Sequence, residues 1–333
     1  MGTAGVAALV VSAAACGSED ASEAEPDPAG EPVSVVVTTS ILGDIVTESL
    51  GDLVGEEFTV ETIMPIGVSP HGFDASAEQA EAMEQADLLV TNGVNLEEGL
   101  TGVIESAEES GTEVFTFADH VEVLPGSGGD DHDHDEAEGE EGHDHDEAED
   151  DHDHDHSAGD PHIWMDPTQM AAGVEALAEE LAELSDDPDA VHAEADDYIV
   201  ELTTLDEDIA TTLEVVPAED RLLVTNHQAF GYLVNRYDFE MLGAAIPSLT
   251  TDAAASAAEL EELAALIREH DLPAIFSETI ESDELVDALA EEVGSDVQVV
   301  QLYTGSLGEP GSGADTYAGM MTTNAQRIAD ALG

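Results

Sequence analysis

Residues 33–50 read VSVVVTTSILGDIVTESL, and the organisation of the whole chain follows from this stretch. Val33 to Thr39 is a β-branched run bounded by Pro32. Branched side chains suit a pleated surface, and a continuous apolar run predicts a strand buried on both faces. Ile41, Ile45 and Leu50 follow at helical spacing, so the strand feeds a helix. The same exchange repeats outward. Phe58 to Met64 predicts a strand that ends at Pro65, and Ala75 to Ala86 a helix with Ser76 as its cap. Asp87 to Gly93 reads as strand and turn, Leu96 to Ser110 as a helix, and Glu113 to Phe117 as a strand. Such alternation implies a parallel sheet, with functional groups outside the carboxyl ends of its strands.

Gly126 to Asp160 breaks the pattern. It is dense in Asp, Glu and His and holds no aliphatic side chain larger than Ala, so it cannot bury apolar surface and is expected to be a disordered loop. After Asp166-Pro167 a helix is expected from about Thr168 to Leu184. Pro188 then introduces a second helical stretch to about Val215, with apolar Val191, Ala195, Tyr198, Ile199, Leu202, Leu205 and Ile209. At 1.5 Å per residue that rod would be about 40 Å long, enough to link two lobes. Beyond Pro217 the alternation resumes, with strands over Arg221–Thr225, Glu240–Ala245, Pro273–Ser277 and Val297–Tyr303. Helices over Ala229–Tyr237, Thr251–His270, Asp283–Val293 and Thr316–Leu332 separate and close them. At 333 residues the chain exceeds what one core supports. The expected fold class is therefore α/β, two lobes with parallel sheets flanked by helices: 33–187, a single long linking helix over 188–216, and 217–333.

The charge balance is extreme, with 79 acidic residues against Arg221, Arg236, Arg268 and Arg327, no lysine, and a formal net charge of -75. This counts against nucleic acid and anionic membrane surfaces as partners. Self-repulsion on that scale is screened within about 3 Å at 1 M salt, which points to a high-salt habitat. Residues 4–15 are an Ala/Val-rich run, too short to span a bilayer and placed like the apolar core of an export signal. Read with Ala13-Ala14-Ala15-Cys16 as a lipobox, residues 1–16 are a lipoprotein signal and Cys16 becomes the lipidated first residue. Residues 17–32 are then a disordered tether on the outer face of a membrane. The simpler alternative is a cleaved signal with an incidental cysteine, and the absence of Lys or Arg near Met1 departs from the usual signal. As the sole cysteine, Cys16 excludes an intramolecular disulfide.

Three histidines stand in ordered surroundings: His71 in Ser69-Pro70-His71-Gly72-Phe73, His162 in Asp160-Pro161-His162-Ile163-Trp164-Met165-Asp166-Pro167, and His227 in Thr225-Asn226-His227-Gln228. The first two fall on loops of the first lobe and the third at a strand end of the second, so a site made from them would lie in the interlobe cleft, where small ligands bind. Zinc takes imidazole and carboxylate ligands, and three histidines leave one position open. Glu278 and Asp315, after a strand and before a helix, are candidates for a fourth ligand or for orienting an imidazole, with Glu278 favoured. Trp164 and Met165 read as core that walls the cleft, and His120, His192 and His270 as surface residues. The tract histidines, His132, His134, His143, His145, His152, His154 and His156, recur in HDHD-type spacing. An acidic linker alone does not explain them; weak zinc capture by neutral imidazoles does, and it should fade below about pH 6.

Taken together and in order, several segments resemble the cluster A-I metal-binding solute-binding proteins of ABC transporters, the zinc and manganese uptake group. They are Val35 to Thr39, Pro70-His71-Gly72-Phe73, Ala86 to Gly93, the His-rich insertion, His162 to Pro167, His227 to Tyr232, Ile275 to Glu278 and Asp315-Thr316-Tyr317. The resemblance implies two α/β lobes on one long helix, a metal in the cleft held by His71, His162 and His227, and delivery to a membrane permease. It further implies Zn²⁺ rather than Mn²⁺, because manganese-type members carry a carboxylate at the position of His227. Many members have a ligand aspartate after the last strand, where this chain has Gly305 in Tyr303-Thr304-Gly305-Ser306; water, Glu278 or Asp315 would then complete the shell. The expected protein is a monomeric, extracytoplasmic, lipid-anchored zinc carrier and not an enzyme. A zinc hydrolase is the rival from another class, disfavoured because no HExxH helix is present. A metal buffer or adhesin would share the same site.

Overall fold

The computed structural model describes residues 32–126, 159–250, 256–294 and 297–333. Its first sheet has the order β2-β1-β3-β4, with β1 at Val33–Val37, β2 at Phe58–Thr62, β3 at Leu88–Thr91 and β4 at Glu113–Thr116. The second repeats that plan as β6-β5-β7-β8, with β5 at Leu222–Thr225, β6 at Glu240–Ala244, β7 at Ala274–Glu278 and β8 at Gln298–Leu302. Every pairing is parallel. In both sheets the first strand in sequence lies inside, so successive connections leave it in opposite directions. The carboxyl ends of β1 and β3, and of β5 and β7, therefore diverge at switch points.

Alternation along the strands sends side chains to two different cores. Val35, Val37, Leu88 and Val90 join one cluster, whereas Val36 and Leu89 pack outward with Ile63, Met83 and Leu100 under α2 (Ala77–Gln85) and α3 (Thr101–Ser110). The second sheet is divided alike. Leu223 and Phe276 point inward, while Val224 and Ile275 join Leu263, Ile267, Val286 and Leu289 under α7 (Ala257–Glu269) and α8 (Glu284–Val293). The inner faces of both sheets belong to a single cluster, knitted together by α4 (Pro167–Leu184), α5 (Pro188–Leu213) and α9 (Tyr317–Leu332).

Helix α5 starts where Pro188 occupies its first turn and the Asp187 side chain accepts from the Ala190 amide. It ends at Leu213, short of the expected 216. Its 26 residues, about 39 Å at 1.5 Å each, bury Val191, Ala195, Tyr198, Leu202, Leu205, Ile209 and Leu213 along one stripe. In its carboxyl-terminal third, buried Asp206 accepts from Arg236 Nε at 2.8 Å and from Tyr237 Oη at 3.0 Å, which clips the second lobe to the rod at the end of α6 (Gly231–Arg236). Ser76 and Ser256 close capping boxes at the starts of α2 and α7. Helix α1, Ser40–Leu50, is capped by Thr39.

Candidate metal centre

His71, His162 and His227 converge. Each offers a ring nitrogen, the nitrogens all lie within 4.8 Å of one another, and the side chains are almost wholly buried. The ring centroids stand 5.4, 5.6 and 5.1 Å apart. Each ring arrives from a different element. His71 follows β2 on a loop stiffened by Pro70, His162 sits on the strap leading into the short 3-10 turn Ile163–Met165, and His227 lies just past β5, where Thr225 Oγ1 donates to its carbonyl at 2.7 Å.

Two of the rings are oriented by carboxylates. Asp160 Oδ1 accepts from His162 Nδ1 at 2.7 Å and from the His162 amide at 3.0 Å. Glu278 Oε1 accepts from His227 Nδ1 in a short contact and from the His227 amide at 3.3 Å. With both Nδ1 atoms donating, both Nε2 atoms carry lone pairs, and these face each other at 3.2 Å. Two opposed lone pairs at that distance call for a cation between them. His71 adds the third donor: it is buried, and neither of its ring nitrogens has a protein partner. A buried, unpaired imidazole is costly unless something outside the chain satisfies it. Burial pushes the His71 imidazole down to about 3, with His162 and His227 adding to the effect. Burial likewise lowers His162, against the opposing pull of Asp160. Neutral imidazoles of this kind are metal ligands in waiting.

Glu278, expected above either as a fourth ligand or to orient an imidazole, takes the second role and stands behind His227. Its second oxygen accepts from Thr304 Oγ1 at 2.6 Å, so both oxygens are engaged away from the centre. Asp315 is exposed and accepts from the Gly311 amide at the approach to α9. Neither carboxylate belongs to the converging set. Gly305 is close-packed: a Cβ there would stand 2.6 Å from Pro70 Cδ and 3.0 Å from Ile280 Cδ1. Trp164 and Met165 are buried as expected, with the Trp164 ring edge-on to His162 at 5.4 Å. His120 and His270 are exposed and His192 half-buried, all apart from the centre. Cys16 and the seven tract histidines lie outside the described residues.

Sequence reasoning missed Asp160, although it lies two residues from His162 and that spacing lets one carboxylate reach both the amide and the ring. It also missed the support beneath the strap. Asn92 Nδ2 donates to the Pro161 carbonyl at 2.9 Å. Buried Glu97 in turn holds the Asn92 amide at 2.7 Å and Thr38 Oγ1 at 2.8 Å.

The ZnuA family, described as zinc-uptake complex component A, periplasmic, matches residues 35–331. The zinc-binding protein TroA of Treponema pallidum is 31% identical over 92% of this chain and 91% of its own length. The manganese-binding lipoprotein MntA of Halalkalibacterium halodurans is 28% identical over 97% of this chain and 95% of its own. The solved periplasmic zinc-binding protein TroA superposes with a TM-score of 0.75 at 28% identity, covering 91% of this chain and 99% of TroA.

Proposed function

We propose that this chain, which belongs to the ZnuA family, binds Zn²⁺ through His71, His162 and His227 and presents it to an ABC importer. At the coarser level it is a metal-binding solute-binding protein of an ABC transporter and not an enzyme, which retires the hydrolase reading. The chemistry of the centre agrees with that, since Glu278, the carboxylate considered as a base in the hydrolase reading, has both oxygens committed.

The observation that carries zinc is the donor set: three buried neutral imidazoles, with every nearby carboxylate one bond further out. Imidazole donors in a four-coordinate site suit Zn²⁺, whereas Mn²⁺ favours carboxylate and water oxygens in a larger shell. A water molecule would take the fourth position. Asp160 and Glu278 orient their histidines and hold the tautomer. His71, which has no such support, is the ligand freest to leave on release. Because both lobes share one core along α5, their opening should be small compared with a flexibly hinged clamshell.

The remaining elements belong to the same reading. Cys16 would carry a lipid that tethers a monomer to the outer face of the membrane beside its permease, and the tract histidines would gather zinc weakly. A metal buffer or adhesin would use the same centre with a different partner. Metal analysis of protein purified in high salt, with zinc and manganese offered together, tests the assignment. Irving–Williams ordering makes raw affinity alone a poor guide, so competition is the measurement. One tight zinc is expected in wild type and in a variant lacking residues 126–158, and none in His162→Ala. Retention of that zinc in His162→Ala, or preference for manganese, overturns it.

A further inference from the structure

The segment just past β8 takes no part in the donor set, yet it touches all three ligand-bearing pieces. Thr304 is fully buried. Its hydroxyl donates to Glu278 Oε2 at 2.6 Å, leaving Oε1 to take both the ring and the amide of His227. Its carbonyl accepts from Trp164 Nε1 at 2.9 Å, and Trp164 lies two residues beyond His162 on the same strap. Gly305 rests on Pro70, the residue before His71, and Ser306 Oγ accepts from the Gly67 amide of that loop at 2.7 Å. Tyr317 Oη holds the Trp164 carbonyl at 2.7 Å from α9, so the strap is fastened on both sides of the indole.

We propose that Thr304 is a positioning residue for metal binding, the joint through which one hydroxyl and one carbonyl bring the His162 strap and the Glu278–His227 pair into register. The inference rests on the zinc reading above. The hydroxyl is the critical part. A buried carboxylate oxygen deprived of its donor must find another, and Glu278's other donors, the ring and amide of His227, are already bound to Oε1. Glu278 would then rotate and His227 would lose its fixed tautomer. The partners of metal ligands, when removed, typically cost 10–100-fold in metal affinity. Thr304 reaches the ligands only through Glu278 and Trp164, so its effect must pass through them.

The test is Thr304→Val, which keeps the shape and removes the hydroxyl, with Thr304→Ser, Glu278→Gln and the double variant Thr304→Val/Glu278→Gln beside wild type. Zn²⁺ affinity is measured in molar salt by competition with a chromophoric chelator, the d–d spectrum is taken with Co²⁺ in place of zinc, and circular dichroism monitors folding. Thr304→Val should bind zinc about 10–100-fold more weakly with an altered Co²⁺ spectrum. Thr304→Ser should recover wild-type affinity to within about threefold. In the Glu278→Gln background the Thr304→Val loss should largely vanish, because coupled residues are not additive. Wild-type affinity in Thr304→Val, no recovery in Thr304→Ser, or additive losses would each overturn the proposal. If Thr304→Val does not fold, Thr304→Ala removes the same hydroxyl with less bulk and is judged identically. Failure of wild type itself to bind zinc would defeat the underlying zinc reading, a result separate from any of these.

Discussion

Replacing Gly305 with alanine should weaken zinc binding, although residue 305 offers no ligand atom. The added Cβ would stand 2.6 Å from Pro70 Cδ, 3.1 Å from Pro70 Cγ and 3.0 Å from Ile280 Cδ1. Carbon atoms rest at about 3.5–4.0 Å, so roughly 1 Å must be found. The Ile280 methyl can swing aside, but Pro70 cannot: its ring is locked to the backbone and it is buried against the cleft. Relief therefore moves Pro70 outward and carries His71 with it. Zinc–nitrogen bonds tolerate only about ±0.2 Å, so a shift of this size removes one of three imidazoles. Overpacking of this kind costs about 1–3 kcal/mol of stability. A ligand pulled off its position should lower affinity about 10–100-fold, or roughly 1.4–2.8 kcal/mol. Chelator competition and thermal unfolding in molar salt measure both quantities. Wild-type affinity and melting temperature in Gly305→Ala would refute the reasoning. Gly305→Asp, which puts a carboxylate on the same crowded Cβ position, should also weaken binding, and a gain in zinc affinity would refute it equally.

Four further outcomes follow from the same geometry. Asp160→Ala should lose about 10–100-fold in zinc affinity while keeping its fold, since Asp160 Oδ1 alone orients His162 Nδ1; isothermal titration reads the loss. With His71 depressed to about 3, acid should strip zinc from the centre well below pH 6, whereas zinc on the tract histidines should leave near pH 6; stoichiometry against pH separates the two steps. Burial raises Asp44 from 3.8 to about 6, so its contribution to stability is full below about 3.8 and is lost as the pH rises through 6. Asp44→Asn keeps an acceptor for the Tyr317 amide and should therefore be more stable than wild type at pH 7, by up to ~3 kcal/mol before solvent screening and about 1 kcal/mol after it, with the difference gone below pH 4 in thermal melts. The net charge of -75 should unfold the protein as salt falls from molar to dilute, and a gain of ellipticity on dilution would contradict this.

Local chemistry carried most of the architecture. The runs Val33–Thr39, Asp87–Gly93 and Pro273–Ser277 read as buried strands because a parallel sheet covered on both faces needs uninterrupted apolar side chains, and they are β1, β3 and β7. Ser76, Asp166 and Pro188 mark helix starts in both readings. The helix expected from Thr251 begins at Ala257, where extended Ser256 closes its capping box with Glu259; residues 251–255 lie outside the described residues. The stretch Asp87–Gly93, expected as strand and turn, is strand over Leu88–Thr91, and Asn92 just beyond it donates to the Pro161 carbonyl. Glu278 was legible as a carboxylate that would either bind the metal or orient an imidazole, but the choice between those roles, and His227 as the imidazole, were not. That distinction depends on which of its oxygens faces which neighbour. Thr304 carried no signal, since a threonine after a strand is ordinary until the indole and the carboxylate it joins are brought beside it.

By itself the sequence determined the α/β alternation, the rod between the lobes, the acidic surface and three histidines set in turns, because each of these depends on a residue's own shape and its near neighbours. The tertiary structure alone decided that the three imidazoles meet, that Glu278 stands behind them rather than among them, and that Gly305 leaves no room for a side chain. Those outcomes depend on distances between segments tens to hundreds of residues apart. They are set by how two sheets and three helices share one core, a global packing that no local periodicity encodes.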